Sequence, residues 1–221
     1  MPLLVKTIKV FLLGLLMTAA MLFLPAGTLA YQGAWFFIAL LFTPIFIMGI
    51  VLFIKNPELL RKRLEMKERE KEQKRVVSMS GLLLVASFIV AGLDFRFGWS
   101  QVPDVVVIAA SVLLLVGYAL YAEVMRENIY LSRVVEVQKE QCVIDTGLYG
   151  IVRHPMYFAV SLLYLAIPLV LGSWWALLLM SPCVLLLGAR IKNEELVLRQ
   201  GLSGYIEYTE RVRYRMIPFV W

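Results

Sequence analysis

The sequence has few of the residues that build soluble catalytic or metal sites. Its 221 residues include one histidine and two cysteines, and no segment fits the G-x-G-x-x-G pattern of a soluble dinucleotide fold. Cys142 lies in a polar segment and Cys183 in an apolar run, without the spacing of metal ligands. We therefore expect no disulfide, no metal centre and no soluble nucleotide-binding domain.

Charged residues are scarce and are concentrated between long apolar runs. Hydrophobic residues make up 61% of the chain, mean hydropathy is +0.78, and several runs approach the ~20 residues that cross a bilayer. This pattern predicts an all-α polytopic membrane helix bundle with about five to six transmembrane segments. The net charge of +6 comes without a basic, aromatic-rich soluble segment, so we expect membrane lipids rather than nucleic acid as partners.

Four apolar runs fill the first half of the chain: 10–24, 35–54, 81–93 and 105–122. The first resembles a signal peptide, but the second follows after a short turn, as in a transmembrane hairpin, which we favour. Between the second and third runs, residues 55–75 carry nine basic and five acidic side chains. Glu68, Glu72 and Arg75 have the spacing of helical ion pairs. We interpret this segment as a solvated helix that extends the second span, and we assign it no chemistry.

Two shorter apolar runs, 156–171 and 174–189, flank the pair Gly172-Ser173. They form either a hairpin of two short helices or one kinked helix. The hairpin gives six crossings and leaves 2, 9, 4 and 6 basic residues on one face, which is 21 of the 22 in the chain, with only Arg96 opposite. The positive-inside rule therefore favours the hairpin, both termini in the cytoplasm and polar segments 123–157 and 190–221 on the cytosolic face.

The stretch Gly147-Leu-Tyr-Gly-Ile-Val-Arg-His-Pro-Met-Tyr157 contains the single histidine and precedes the fifth apolar run. Pro155 fits the first turn of a helix but not its interior, so His154 should lie at the helix start. Backbone N–H groups at that start would favour a negative charge. A basic anchor at an ordinary helix start is the plainer interpretation of Arg153 and His154.

A second polar set follows the hairpin. Glu194 and Glu195 project about 100° apart on a helix, so at least one should face Arg153 and His154. The segment from Tyr205 to Pro218 is rich in tyrosine and arginine, as in an amphipathic membrane-surface helix. Carboxylates, arginines and aromatic rings around one pocket suit a ligand with an ammonium, a carboxylate and a further cation. S-adenosylmethionine is such a ligand, although other zwitterions also fit.

Several motifs in this region resemble the isoprenylcysteine carboxyl methyltransferase family and its wider phospholipid methyltransferase relatives. They are the stretch 143–157, the Leu-Gly-Ser-Trp-Trp turn at 171–175, the Glu194-Glu195 pair and the tail 204–218. The resemblance covers roughly residues 128–218 and divides one integrated membrane domain into N-terminal helices, 1–125, and a methyltransferase-like region, 126–221. Ala159 departs from the glycine of many relatives and leaves the substrate less certain than the cofactor.

The resemblance implies an integral membrane methyltransferase that binds S-adenosylmethionine at the cytosolic face and takes a lipophilic acceptor from the bilayer. Arg153 and His154 would be catalytic, with Arg153 at the acceptor's carboxylate. The implied cofactor-binding residues are Gly147, Tyr149, His154, Pro155, Tyr157, Glu194 or Glu195, Tyr205 and Tyr208.

The chemistry of the acceptor stays open at this point. A carboxylate is already ionised, whereas a phospholipid amine or a small thiol would need His154 as a base. Membrane sterol reductases, which use NADPH, also end in a tyrosine-rich tail with Ile-Pro. A membrane scaffold without enzymatic activity is a further alternative. We favour transfer of a methyl group to a carboxylate of an isoprenylcysteine-like substrate.

Overall fold

The computed structural model describes residues 3–64, 71–131 and 137–221, and the side chains of 71–73 are left out. Every regular element in these ranges is helical. The helices are α1 (Leu3–Ala26), α2 (Gln32–Lys55), α3 (Pro57–Leu64), α4 (Lys71–Phe97), α5 (Asp104–Glu127), α6 (Pro155–Val170), α7 (Trp174–Met180), α8 (Pro182–Gly201) and α9 (Tyr205–Arg211), with a short 3₁₀ helix at Gly147–Gly150 before α6.

Five helical stretches in the described ranges are long and apolar enough to cross a membrane: α1, α2, α4 from Lys74, α5, and α7 with α8. α6 is a shorter apolar helix between the last two. The chain reverses direction between successive long helices, and it turns again on either side of α6. The prediction of an all-helical polytopic bundle is confirmed.

The turn between α6 and α7 confirms the predicted hairpin and excludes one kinked helix. Gly172 has a φ of +78°, which only glycine adopts without strain, and it reverses the chain. Ser173 then caps α7, because its hydroxyl accepts a hydrogen bond from the N–H of Ala176 at 3.1 Å. The same hydroxyl donates to the buried carboxylate of Asp94 at the end of α4. The turn is therefore fixed to a neighbouring span.

The second arm of the hairpin continues in helix beyond its apolar run. α7 and α8 together run over 28 residues, from Trp174 to Gly201. Pro182 begins α8 at its first turn, where a proline costs no backbone hydrogen bond, so the chain continues in helix. As expected, α8 carries Glu194 and Glu195 beyond the apolar run.

The prediction that residues 55–75 extend the second span is wrong. α2 ends at Lys55 because Pro57 cannot continue a helix, and Asn56 caps the new helix α3 through Leu59 N–H at 3.0 Å. α3 is not simply solvated, since Leu59 and Leu60 are buried and Leu59 packs in a cluster with α5 residues Val124 and Met125. Helix α4 already begins at Lys71. The predicted spacing of Glu68, Glu72 and Arg75 involves Glu68 and the side chain of Glu72, which lie outside the described part of the chain.

Helices α5 and α6 pack along an extensive contact, and this contact orients the start of α6. A Cβ added at Gly117 would lie only 2.8 Å from the side chain of Leu163 and 3.3 Å from the carbonyl oxygen of Ala159, so the two helices approach closely there. Ala159 is fully buried there. The residue that departs from the resembled family therefore packs against α5 and does not line the cavity described below.

Candidate active site

A cavity lined by polar and apolar side chains opens at the end of the bundle where α5 ends and α6 begins. The empty space in it, counted together with the open space at its mouth, is about 830 Å³. Its wall is built from the α6 start, one side of α8, α9 and the segment between α5 and the 3₁₀ helix. The lining residues are Asn128, Tyr130, Leu131, Gln141, Cys142, Val143, Ile144, Tyr149, Arg153, His154, Met156, Tyr157, Arg190, Glu194, Leu198, Leu202, Tyr205 and Tyr208.

The start of α6 is arranged as the sequence predicted. Pro155 occupies the first helical position and His154 the N-cap. The backbone N–H groups of Arg153 and His154 donate to the carbonyls of Tyr214 and Arg215, at 2.9 and 2.7 Å. These two N–H groups are therefore used to attach the tail, and they are not available to an anion.

Arg153 belongs to a buried ionic cluster, which we call the Glu195 cluster: Arg153, Glu195 and Arg215. Nε and Nη2 of Arg153 each lie 2.8 Å from Oε1 of Glu195, and Nη1 donates to the carbonyls of Val212 and Arg213. Nε of Arg215 donates to Oε2 of Glu195 at 2.9 Å. Side chains of both Arg153 and Glu195 are only 5% exposed. Two arginines therefore neutralise Glu195 and tie the tail to α6 and α8.

Glu194 has a different environment, although it is the adjacent residue. Its side chain is 25% exposed and lines the cavity, which Glu195 does not. The hydroxyl of Tyr157 donates to Oε2 of Glu194, and Nε of Arg190 donates to the oxygen of Tyr157 at 2.9 Å. The structure thus separates the two glutamates, with one in the ionic cluster and the other at the cavity wall.

His154 lies between these two carboxylates. Its Nδ1 is 3.8 Å from Oε1 of Glu194, and its Nε2 is 3.4 Å from Oε1 of Glu195. Nε2 is buried and makes no hydrogen bond to the part of the chain that the structure describes. Both ring nitrogens therefore face carboxylates.

Three buried tyrosines form the other side of the cavity. The hydroxyl of Tyr208 donates to the carbonyl of Tyr149 at 2.7 Å, and Tyr149 accepts from Asn128 at 2.9 Å. The hydroxyl of Tyr205 is buried and has no hydrogen-bond partner among the described residues. Burial is the largest cause that raises the pKa of all three phenols, so they stay neutral at physiological pH.

The structure brings together most of the predicted site residues. Gly147 and Pro155 do not line the cavity. Gly147 has a φ of +52°, and a Cβ there would be 2.9 Å from Cδ of Glu127, so it shapes the turn before the 3₁₀ helix. The segment 205–218 is not one membrane-surface helix: α9 ends at Arg211, and the residues that follow fold over Arg153 and His154.

Sequence reasoning missed part of the α8 wall, although the signal was present. Arg190, Glu194, Leu198 and Leu202 recur every fourth residue, which places them along one side of a helix. The lining residues between 128 and 144 have no such periodicity, and the sequence offers no comparable signal for them.

This fold and cavity define a multi-pass helical membrane protein with a cavity at one end of its bundle. Residues 105–203 match the family model described as phospholipid methyltransferase, so this region of the chain is similar to that family of membrane methyltransferases. The match confirms the resemblance at the level of the wider family. It covers α5 to α8 and most of the cavity wall, but not α3, α9 or the tail. A comparison with curated proteins gave no match.

Proposed function

We propose that the protein is an S-adenosylmethionine-dependent methyltransferase whose cofactor occupies this cavity. The observation that carries the proposal is Glu194, a partly exposed carboxylate on the cavity wall in the region that matches a methyltransferase family. The cofactor's ammonium would bind to Glu194. The faces of Tyr149, Tyr205 and Tyr208 suit its adenine ring or its sulfonium charge.

One buried polar atom supports the fit of a ligand to this site. Buried polar groups are nearly always hydrogen-bonded in native proteins. Tyr205 lines the cavity, and its hydroxyl has no such partner within the described ranges. A zwitterionic ligand with hydroxyl, carboxylate and ring nitrogen atoms offers a partner to this hydroxyl.

S-adenosylmethionine supplies an electrophilic methyl group, and the protein's part is to position the acceptor. In-line displacement requires the acceptor atom about 3–3.5 Å from the methyl carbon, with little further assistance. A carboxylate acceptor needs no base, whereas an amine or thiol does. We favour the carboxylate of an isoprenylcysteine-like lipid over a phospholipid amine, because a carboxylate acceptor needs neither His154 nor another base.

Arg190 is the cation that we assign to the acceptor's carboxylate. Both arginines have contacts within the protein: Arg153 binds Glu195 and two carbonyls, and Nε of Arg190 donates to the oxygen of Tyr157. Their positions therefore distinguish them. Arg190 lines the cavity from α8, at the side nearest the apolar part of that helix. A lipophilic acceptor that enters from the bilayer would place its anionic end beside Arg190.

Incubation with methyl-labelled S-adenosylmethionine tests the proposed function directly. Purified protein is given an isoprenylcysteine carboxylate, phosphatidylethanolamine or a small thiol, and the labelled product is identified. We expect base-labile label on the carboxylate, at a rate that varies little from about pH 6 to 8, since a carboxylate stays ionised there. Label on the amine or the thiol would show that the proposed acceptor is wrong. If the protein binds NADPH and does not bind S-adenosylmethionine, it is a reductase and not a methyltransferase.

Arg190→Lys is expected to raise the KM of the carboxylate acceptor by at least about tenfold. Lysine keeps the charge but loses the planar fork that binds a carboxylate through two hydrogen bonds. Arg199→Lys is the matched control, because it makes the same change on α8 at an exposed residue that does not line the cavity. Kinetics over a range of acceptor concentrations measure both variants. If the acceptor KM is unchanged in Arg190→Lys and raised in Arg153→Lys, then Arg153 and not Arg190 binds the acceptor's carboxylate.

We also propose that the cavity faces the cytoplasm, with both termini on that side. The motivation is the distribution of basic residues, of which 21 of 22 belong to segments on one side of a six-crossing layout. A compartment-sensitive reporter fused after Trp221 is expected to be active in the cytoplasm. Activity of that reporter on the outer side would contradict the arrangement.

A further inference from the structure

One wall of the cavity has no regular secondary structure of its own. It consists of residues 137–144, of which Gln141, Cys142, Val143 and Ile144 line the cavity. We call it the wall segment. Val137 and Val143 pack against the cluster of Leu202, Tyr205, Tyr208 and Val212. The close approach of Val137 to Gly201, where a Cβ would be 3.0 Å from Cγ2, shows how tight this contact is.

The wall segment has a second attachment, and this one comes from α3. Nζ of Lys62 donates a hydrogen bond to Oε1 of Gln138 at 2.7 Å. The amide nitrogen of Gln138 donates to the carbonyl of Tyr130 at 2.6 Å, and its backbone N–H donates to Oε1 of Gln141 at 2.8 Å. Gln138 thereby connects α3 to two cavity-lining residues.

Helix α3 is packed against α5, so Lys62 can hold Gln138 in place. Leu59 and Leu60 are 2% and 6% exposed, and Leu59 belongs to a core cluster with Val124, Met125, Leu131 and Tyr149. The guanidinium of Arg63 lies over the ring of Tyr121 on α5, 5.3 Å from its centre. Hydrogen bonds from a charged donor are stronger than neutral ones. Lys62 is thus a charged donor on a rigid support.

We propose that Lys62 is a positioning residue for the cofactor cavity, because it holds the wall segment through Gln138 against α8 and α9. This inference rests on the proposed function, in which the cavity binds S-adenosylmethionine. Lys62 lies outside the family match at 105–203. It belongs to the basic segment 55–75, for which the sequence pattern predicts no catalytic or binding role. The N-terminal half would then contribute to cofactor affinity without touching the cofactor.

Lys62→Met is expected to weaken S-adenosylmethionine binding by about three- to tenfold, the effect of about one hydrogen bond. Because Lys62 does not touch reacting atoms, kcat at saturating cofactor should stay near the wild-type value. Arg61→Met is the matched control, since it removes the same charge from an exposed adjacent residue. Lys62→Arg should restore much of the affinity. Gln138→Ala should weaken binding at least as much as Lys62→Met, because it also removes the hydrogen bond to the carbonyl of Tyr130, and the double variant should lose little more than Gln138→Ala.

A measurement without cofactor reports on the wall segment directly. Cys142 is exposed and Cys183 is buried, so a water-soluble maleimide should label Cys142 selectively. We expect faster labelling in Lys62→Met and an unchanged rate in Arg61→Met. Wild-type labelling rates and cofactor affinities in Lys62→Met would overturn the inference, as would an equal loss of affinity in Arg61→Met. Altered labelling in a protein that binds no S-adenosylmethionine would support the role of Lys62 and contradict the proposed function.

Discussion

Glu195→Gln is expected to destabilise the protein by about 3–5 kcal/mol, because a buried ionic contact loses one partner. Glutamine keeps the size of the side chain but leaves the buried guanidinium of Arg153 without a counter-ion. The same change releases Arg215 and therefore loosens the tail. Thermal unfolding in detergent, followed by circular dichroism, measures the loss.

Two comparisons make this result specific. Glu194→Gln should change the unfolding temperature little, since its side chain is partly exposed. Replacing Arg153 and Glu195 together by methionine should destabilise less than removing Glu195 alone, because no uncompensated Arg153 remains. Equal unfolding temperatures for Glu195→Gln and the wild type would show that Glu195 does not hold the tail.

Glu194→Gln is expected to weaken S-adenosylmethionine binding by about 1.5–3 kcal/mol, the value of a hydrogen bond to a charged group. This corresponds to a loss of affinity of roughly ten- to a hundredfold. The physical reason is that an amide replaces the carboxylate that would bind the cofactor's ammonium. Isothermal titration calorimetry on the detergent-solubilised protein gives the affinity.

The control for Glu194 is Glu207→Gln, which removes the same charge from an exposed position of α9. This variant should bind the cofactor nearly as the wild type does. If Glu194→Gln keeps wild-type affinity while Glu195→Gln folds and loses it, the roles of the two glutamates are reversed. If both retain it, the ammonium binds elsewhere.

The parts of the site that depend on local rules could be predicted from sequence. Pro155 places His154 at a helix start because of its fixed backbone geometry. Gly172 and Ser173 predict the turn, and the charge bias decides between a hairpin and a kinked helix. The tyrosines Tyr149, Tyr157, Tyr205 and Tyr208, which the family resemblance implied as cofactor residues, line one cavity.

The parts that depend on contacts between distant segments could not be predicted. Helical geometry shows that Glu194 and Glu195 point in different directions. Only the position of the tail shows that Glu195 meets Arg215 and that Glu194 faces the cavity. Similarly, the contact between Lys62 and Gln138 joins residues 76 positions apart, and no periodicity signals it. Residues 55–75 are a different case, because Pro57 already indicates in the sequence that α2 cannot continue through it.

The residues of the Glu195 cluster are synthesised at different times. Arg153 is made first, Glu195 follows on the far arm of the hairpin, and Arg215 comes last. At about 5–20 residues per second, Arg153 emerges several seconds before its cluster can be completed. During that interval its guanidinium must remain hydrated, because a lone buried cation is costly. The hairpin can therefore be inserted early, but the Glu195 cluster should be among the last parts of the protein to form.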